Sequence, residues 1–318
     1  MTWTPWIQAW DQALYGQGGF YRQAVGPAGH FSTASQGIPR IGELLARALL
    51  ELMDQEGLDT FVDVGCGRGE LLEQVHRLSP QVRCIGVDIV ARPDLHEQIR
   101  WIQSPGGRRL PDELHGLADA LALANEWLDV VPCAIAELDG DGELREVLVN
   151  TSSGDERLGD PLAGTDRQWC QRFWPIDRLE PGDRLEVGET RDTAWDDLVS
   201  RIGSGLAVAV DYGHTIDSRP APGTLTGFRQ GRQVLPVPDG SCDLTAHVAM
   251  DSLTHDELVD QRTALRRLGI SGQTPPHDLA RSNPGAYLAG LSTASVATAL
   301  TARGGLGDFL WAFTRART

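Results

Sequence analysis

The chain contains no lysine: all 28 of its basic residues are arginine, and 44 acidic residues outnumber them. The net charge of -16 argues against nucleic acid or an anionic membrane as a partner, because both require a basic patch. No apolar run reaches membrane-spanning length, and the first residues lack the basic start and continuous apolar core of a secretory signal. The sequence therefore predicts a soluble, cytoplasmic protein.

Cysteine is also scarce. The five cysteines are scattered, and no two have the spacing of a metal site or a redox motif. An odd count without a pairing pattern favours reduced thiols, so we expect neither a metal nor a disulfide. With 318 residues the chain is long enough for a well-buried core, in one large or two modest domains.

Residues 61–70 read FVDVGCGRGE, a pattern that does not recur in the chain. The β-branched start predicts a buried strand of a parallel sheet. Gly65, Gly67 and Gly69 predict a turn that needs positive φ angles or close approach to a ligand. Apolar residues at helical spacing follow over 71–78. A strand, a glycine turn and a helix in this order are typical of a site where backbone N–H groups and a helix N-terminus face a polar ligand.

Further apolar strands follow at intervals, separated by helical segments. This alternation predicts an α/β fold with a doubly wound, mostly parallel sheet, in which ligands bind at the carboxyl ends of the strands. The predicted strands are VRCIGVDIV (82–90), IRWIQS (99–104), a segment of ADALALANEWLD (118–129) and LAVAVDYGH (206–214). Polar residues at their ends are Asp88, Asn125, Glu126, Asp211, Tyr212 and His214.

Two regions stand apart from this alternation. Residues 1–50 are predicted to form an N-terminal helical segment, interrupted at 16–37 by a glycine-rich stretch with several aromatic residues. That stretch is either an ordered surface loop or a lid over a pocket. The rest, 51–318, is predicted to be one domain with an insertion at about 130–190, where the DGDG at 139–142 indicates a β-hairpin. The insertion is otherwise predicted to be rich in loops.

The spacing of the glycines indicates which ligand the turn holds. A dinucleotide motif reads Gly-x-Gly-x-x-Gly, whereas here the third glycine comes one residue early. The pattern from Asp63 to Gly69 instead matches class I S-adenosyl-L-methionine methyltransferases, and Asp88 is expected to accept hydrogen bonds from both ribose hydroxyls. A purely structural glycine turn is the alternative. The predicted cofactor contacts are Asp63, Gly65, Cys66, Gly67, Gly69, Asp88, Ile89 and Asn125.

The stretch NEWLDVVP at 125–132 resembles the Asn-Glu-aromatic-x-Asp-x-x-Pro motif of the MidA-type methyltransferases. That family includes a mitochondrial arginine methyltransferase of respiratory complex I assembly. The resemblance covers nearly the whole chain and implies a bacterial class I enzyme that methylates a protein side chain, with arginine as one candidate. Four other stretches match in order: GGFYRQAVGPAGHFSTAS, VDYGHT, DLTAHV and GGLGDFLWAFTRA.

Two departures from the family pattern affect the substrate. The chain has Gly29-His30-Phe31 where the family usually has Gly-Asp-Phe. The region between a predicted helix near Asp251 and residues 261–270 is shorter than in the family, where it carries a helix and a strand. Both changes would also suit a small-molecule acceptor. A third interpretation is a scaffold or assembly factor that keeps the fold without catalysis.

Methyl transfer from a sulfonium is an in-line displacement that needs an oriented nucleophile and a base or carboxylate. Glu126 is the first candidate for this role and Asp129 the second, since forked carboxylate hydrogen bonds suit a guanidinium. Glu126 could instead cap a following helix. His30 could be the base for a less basic nucleophile. Two further pairs could be catalytic or structural: Asp211 with His214, and Asp243 with His247.

Overall fold

The computed structural model describes residues 2–23 and 40–316. The helices of these residues are α1 Trp6–Tyr15, α2 Ile41–Glu56, α3 Glu70–Leu78, α4 Gly164–Phe173, α5 Glu189–Ser200, α6 Gln261–Arg267, α7 His277–Ser282 and α8 Pro284–Leu300. None of them combines the length and apolar character that crossing a membrane requires. The first nine strands are β1 Trp3–Pro5, β2 Thr60–Val64, β3 Arg83–Asp88, β4 Arg100–Gln103, β5 Ala120–Asn125, β6 Ala134–Leu138, β7 Leu144–Asn150, β8 Glu156–Pro161 and β9 Arg184–Val187. The others are β10 Gly205–Asp211, β11 Gly213–His214, β12 Thr226–Arg229, β13 Arg232–Val234, β14 Asp243–Thr245, β15 Val248–Ala249, β16 Glu257–Asp260 and β17 Leu310–Arg315.

The central sheet has seven strands in the order β16-β17-β10-β5-β2-β3-β4. The five strands from β10 to β4 are parallel, and β17 runs antiparallel between β10 and β16. The predicted α/β class and mostly parallel sheet are confirmed.

The residues of β5 show why the sheet is buried on both faces. Its leucines Leu121 and Leu123 pack into the core with α2, α3 and α8, whereas its alanines pack into the core with α5. Successive side chains of a strand point to opposite faces, so the Ala-Leu alternation sends large residues to one side and small ones to the other. This is the pattern of a strand covered by helices on both faces.

The segment between β5 and β10 contains β6, β7, β8 and β9, which form a second sheet together with the N-terminal β1. The predicted hairpin is present: β6 and β7 pair antiparallel around residues 139–142. Residues 151–188 hold two strands and a helix where loops were expected. The strand β8 is mostly exposed and has little apolar pattern, so the sequence did not predict it. The N-terminal β1 pairs with β7, so this sheet also takes in the start of the chain.

The predicted helix near Asp251 is wrong, because residues 250–252 form a turn, residues 253–256 are irregular and the edge strand β16 follows them. Of the glycine-rich stretch, residues 16–23 are described, and Phe20 there is buried against α1. The other part of the predicted lid, with His30 and Phe31, lies outside the described residues.

Candidate active site

The carboxyl ends of four neighbouring strands meet at one edge of the central sheet. The glycine turn follows β2, Asp88 ends β3, Asn125 ends β5 and Asp211 ends β10. Because these strands are parallel and adjacent, residues far apart in sequence come together there.

The glycine turn has the backbone conformation that its sequence predicts. The φ angles of Gly65, Gly67 and Gly69 are 71°, 61° and 80°, a region that other residues rarely adopt. A Cβ atom on Gly65 would lie 3.0 Å from the Trp127 side chain, and one on Gly69 would lie 3.0 Å from Leu95. A Cβ atom on Gly67 would meet no protein atom within 4 Å. The space beside Gly67 is therefore open to a ligand.

The first three N–H groups of this turn have partners within the protein. Those of Gly65 and Cys66 donate to the Val87 carbonyl over 2.9 and 3.4 Å. That of Gly67 donates to Asp88 Oδ2 over 2.8 Å. This differs from the expectation that the N–H groups of the turn face the ligand, and it leaves the open space and the Asp88 carboxylate as the ligand-binding features.

Asp88 can still accept hydrogen bonds. Its Oδ1 accepts one from the Val90 N–H over 3.1 Å, and a carboxylate oxygen with one donor retains a lone pair. Burial is the main reason that its pKa is raised, to about 6. The predicted contacts Asp63 and Ile89 are buried, and burial also raises the pKa of the Asp63 carboxyl well above its usual range. The open Gly67 and the acceptor capacity of Asp88 fit a nucleoside with ribose hydroxyls.

Glu126 and Asn125 are both half-buried, and Asn125 Nδ2 donates to Glu126 Oε1 over 3.3 Å. Glu126 has a φ of 51°, which is unusual for a residue other than glycine. No helix follows it: residues 127–133 form an irregular segment with one turn at 129–130, and this segment leads to β6. The interpretation of Glu126 as a helix cap is therefore wrong. Strained backbone conformations of this kind occur preferentially at functional sites.

Asp211 has a structural role in the turn after β5. Its Oδ2 accepts hydrogen bonds from the N–H groups of Leu128 and Asp129, each over 3.1 Å, and its Oδ1 accepts one from Tyr212 N–H over 3.0 Å. Asp211 is fully buried. Burial and then the charges of Asp129 and Glu126 raise its pKa well above the usual range.

Asp129 lies below the surface of the site. Its Oδ2 accepts hydrogen bonds from the Tyr212 hydroxyl over 2.5 Å and the Thr245 hydroxyl over 2.6 Å. Its Oδ1 is buried and has no hydrogen-bond partner among the described residues. Burial is the main cause of its raised pKa. Asp129 thus joins the stretches NEWLDVVP, VDYGHT and DLTAHV: its partners Tyr212 and Thr245 lie 83 and 116 residues further along the chain.

The remaining candidates have different surroundings. Nδ1 of His214 lies 2.8 Å from Arg219 Nη1, so it accepts that hydrogen bond, and burial followed by the Arg219 charge lowers the His214 pKa to about 3. Asp243 accepts a hydrogen bond from the Tyr21 hydroxyl over 2.7 Å, and burial raises its pKa to about 8. Because it lies within β14, it caps no helix. His247 is exposed, and its ring packs edge-on against Tyr212 with centroids 5.4 Å apart.

Arg191 was missed by the sequence analysis. It is 1% exposed and donates to the carbonyls of Asp129, Val131 and His247 over 2.9, 3.1 and 2.8 Å. It belongs to no motif. One signal in the sequence could have indicated that Arg191 is buried. It has the helical spacing of Ala194, Trp195 and Leu198, which are buried residues of α5.

A parallel sheet with a glycine turn after the first of its strands in the chain, and an acidic residue at the end of the next, is the arrangement of a class I S-adenosyl-L-methionine-dependent methyltransferase. The particular family follows from sequence. Residues 44–270 match the family described as "Putative S-adenosyl-L-methionine-dependent methyltransferase", and the chain belongs to that family. It is an enzyme family, and its cofactor is S-adenosyl-L-methionine. The fold class, family resemblance, enzyme class and cofactor predicted from the sequence are confirmed. No curated protein matches the chain.

Two solved structures from Burkholderia thailandensis have the same fold. One, described as a "likely methyl transferase" bound to S-adenosyl-homocysteine, is 20% identical; the match covers 99% of this chain and 88% of that one, with a TM-score of 0.74. The other is a native structure of an uncharacterized protein of the same superfamily. It is also 20% identical to this chain. The match covers 99% of this chain and 87% of that one, with a TM-score of 0.72.

Proposed function

We propose that the protein transfers a methyl group to a nitrogen of a protein side chain, with the arginine guanidinium as the first candidate. The observation that carries this proposal is the position of Glu126. It is a half-buried carboxylate at the carboxyl end of β5, next to β2 and its glycine turn, in a backbone conformation that its surroundings impose. A carboxylate so placed suits forked hydrogen bonds to a cationic acceptor.

When bound, the cofactor would supply an electrophilic methyl group, whose carbon passes to the acceptor nitrogen while the bonding electrons stay on the sulfur. Glu126 would hold the acceptor nitrogen so that its lone pair points along the line of displacement. Glu126 would accept the proton that the nitrogen releases and pass it to solvent. Asp88 would hold the ribose, and Trp127, packed on Gly65, would help to exclude water.

The test begins with cofactor binding and an acceptor. Calorimetry with S-adenosylhomocysteine separates an enzyme from a scaffold that binds no cofactor. Incubation of cell lysate with labelled S-adenosyl-L-methionine then shows whether the label enters protein or a small molecule. Label that appears only in small molecules would contradict the proposed protein acceptor.

The role of Glu126 is tested with Glu126→Gln, which keeps the shape of the side chain but not its charge. We expect turnover to fall by about 100-fold or more, while affinity for S-adenosylhomocysteine changes by less than about twofold. The matched control is Glu113→Gln, at an exposed position outside the site. If His30→Ala suppresses turnover more than Glu126→Gln does, the acceptor is neutral and His30 is the base.

We also propose that the protein works in the cytoplasm. The five cysteines are free in the structure and four of them are buried, which is the usual state of thiols in a reducing compartment. Thiol titration of protein purified without reductant, with and without denaturant, tests this point.

A further inference from the structure

We infer that Arg191 is a positioning residue of the methyl-transfer site: it holds residues 126–132 in the conformation that places Glu126. This inference rests on the proposed role of Glu126. Arg191 comes from α5, outside the five short motifs on which the family resemblance was based, and it acts on the backbone instead of on a ligand.

The contacts of Arg191 are unusual for a buried arginine. Each of its three guanidinium nitrogens donates to a backbone carbonyl: Nη2 to Asp129, Nε to Val131 and Nη1 to His247, over 2.9, 3.1 and 2.8 Å. The guanidinium also lies over the Trp10 ring, 5.6 Å from its centroid. The planar guanidinium holds its donors in a rigid arrangement, and Arg191 thus links the turn after β5 to the segment that follows β14.

Residues 126–132 depend on such contacts because they form no helix or strand. Their carbonyls are bound by side chains from elsewhere: Tyr15 donates to Val130 over 2.9 Å, and Thr190 donates to Pro132 over 2.8 Å. Three of their N–H groups are bound by β10: Asp211 accepts from two of them, and the Val210 carbonyl accepts from Glu126 over 2.8 Å. One bond lies within the segment, from the Val131 N–H to the Leu128 carbonyl over 3.2 Å. Contacts from outside the segment therefore make the larger contribution to its conformation.

This arrangement explains how Glu126 can keep a φ of 51°. A residue with a Cβ atom stays in the left-handed region only where its surroundings determine its conformation. Arg191 supplies two of the bonds that fix the next turn, at Asp129 and Val131. Without Arg191 the Val131 carbonyl would lose its donor, and the Asp129 carbonyl would keep only the Ala246 N–H at 3.1 Å. The turn could then relax toward a conformation in which the Glu126 carboxylate is displaced.

The first variant is Arg191→Lys, which keeps the positive charge and replaces the three guanidinium nitrogens that donate to the backbone with a single ammonium nitrogen. Its matched control is Arg201→Lys at the end of α5, because Arg201 also donates to two carbonyls, those of Pro111 and Leu114, over 2.8 and 2.9 Å. For Arg191→Lys we expect kcat to fall about tenfold or more, with the KM for S-adenosyl-L-methionine and the affinity for S-adenosylhomocysteine within about threefold of the parent. The control should keep the parental kcat.

A double-mutant cycle shows whether Arg191 acts through Glu126. In the Glu126→Gln background, Arg191→Lys should lower kcat by less than about twofold, because the group that Arg191 positions has already lost its charge. The same fold-loss in both backgrounds, or a parental kcat for Arg191→Lys alone, would overturn the inference. A parental kcat for Glu126→Gln would overturn the proposed function first, so the two failures are distinguishable.

If Arg191→Lys does not fold, Thr190→Val takes its place in the cycle. It removes one hydrogen bond, to the Pro132 carbonyl, and nearly preserves the side-chain volume. We expect a smaller loss of kcat, about threefold, that again disappears in the Glu126→Gln background. A parental kcat for a folded Thr190→Val, or a loss that persists in that background, counts against the inference.

Discussion

The carboxylate of Asp88 accepts a hydrogen bond from the backbone N–H of Gly67 over 2.8 Å. This bond ties the end of β3 to the tip of the glycine turn after β2. The acidic residue expected to bind the ribose therefore also fixes the turn that lies beside the ligand. A change at either residue should affect cofactor binding through the other.

Gly67→Ala should weaken S-adenosylhomocysteine binding about tenfold or more, because the added methyl group enters the open space of the cleft. The matched control is Gly116→Ala. Gly116 has a φ of 60°, against 61° for Gly67, and its Cβ would also meet no protein atom within 4 Å. Both variants should lose about 1 kcal/mol of unfolding free energy through backbone strain. Calorimetry that found equal affinities for the two variants would place the cofactor elsewhere.

Asp88→Ala should weaken S-adenosylhomocysteine binding by about 1–3 kcal/mol, and Asp88→Asn by less, since the amide keeps one acceptor. The pKa of Asp88 is raised to about 6, so in the parent the carboxylate is protonated below that pH and loses acceptor capacity. Parental affinity should therefore rise with pH through about 6, whereas that of Asp88→Asn should lack this rise. Titrations at several pH values check this, and parallel profiles would exclude Asp88 from the site.

Asp243→Asn should change how stability depends on pH. The pKa of Asp243 is about 8 in the folded protein, above the ordinary value of about 4 for the unfolded chain. Between these values the folded state keeps a proton that the unfolded state releases, so the free energy of unfolding falls as pH rises, by up to about 1.4 kcal/mol per pH unit. The free energy of unfolding of Asp243→Asn should not show this decrease.

Urea unfolding of parent and variant at several pH values between about 5 and 8 measures the effect. The stability of Asp243→Asn relative to the parent should increase across this range. Asp112→Asn, at an exposed position, is the control and should follow the parent throughout. If the curves of parent and Asp243→Asn stay parallel, Asp243 does not titrate there.

Tyr212→Phe should lower the free energy of unfolding by about 1–3 kcal/mol, because the buried Asp129 carboxylate loses one of the two hydroxyl donors on its Oδ2. Tyr287→Phe is the matched control. The Tyr287 hydroxyl has a long, exposed contact of 3.4 Å with His277 Nδ1, so its loss should cost less than about 0.5 kcal/mol. Equal stability of the two variants would mean that the short Tyr212–Asp129 bond contributes little.

The central sheet could be predicted because its signals are local. β2, β3, β5 and β10 are short, mostly apolar runs, and turns or polar residues mark their ends. The three-residue β1 could not be found, since it contains a proline and exists only through its pairing with β7. The edge strand β16 was missed for a similar reason: its polar residues gain a strand conformation only beside β17.

Part of the candidate site could also be predicted from the sequence. The glycine turn and Asp88 have a fixed spacing that chemistry explains, so they could be placed from sequence alone. The roles of Asp211 and Asp129 could not, because a buried carboxylate and a catalytic one look the same in a sequence. Their hydrogen bonds to backbone N–H groups and to Tyr212 and Thr245 depend on the packing of three distant stretches.

The N-terminal helix α1 has a consequence for the kinetics of folding. Trp10 donates to the Leu244 carbonyl and Tyr15 to the Val130 carbonyl, across 234 and 115 residues of sequence. Contacts of such long range are slow to form, since the loop entropy is lost before the contact stabilises the chain. In refolding, the helices and the parallel strands should gain structure first. Competence to bind the cofactor should return in a later phase, when α1 closes against β14 and the turn after β5.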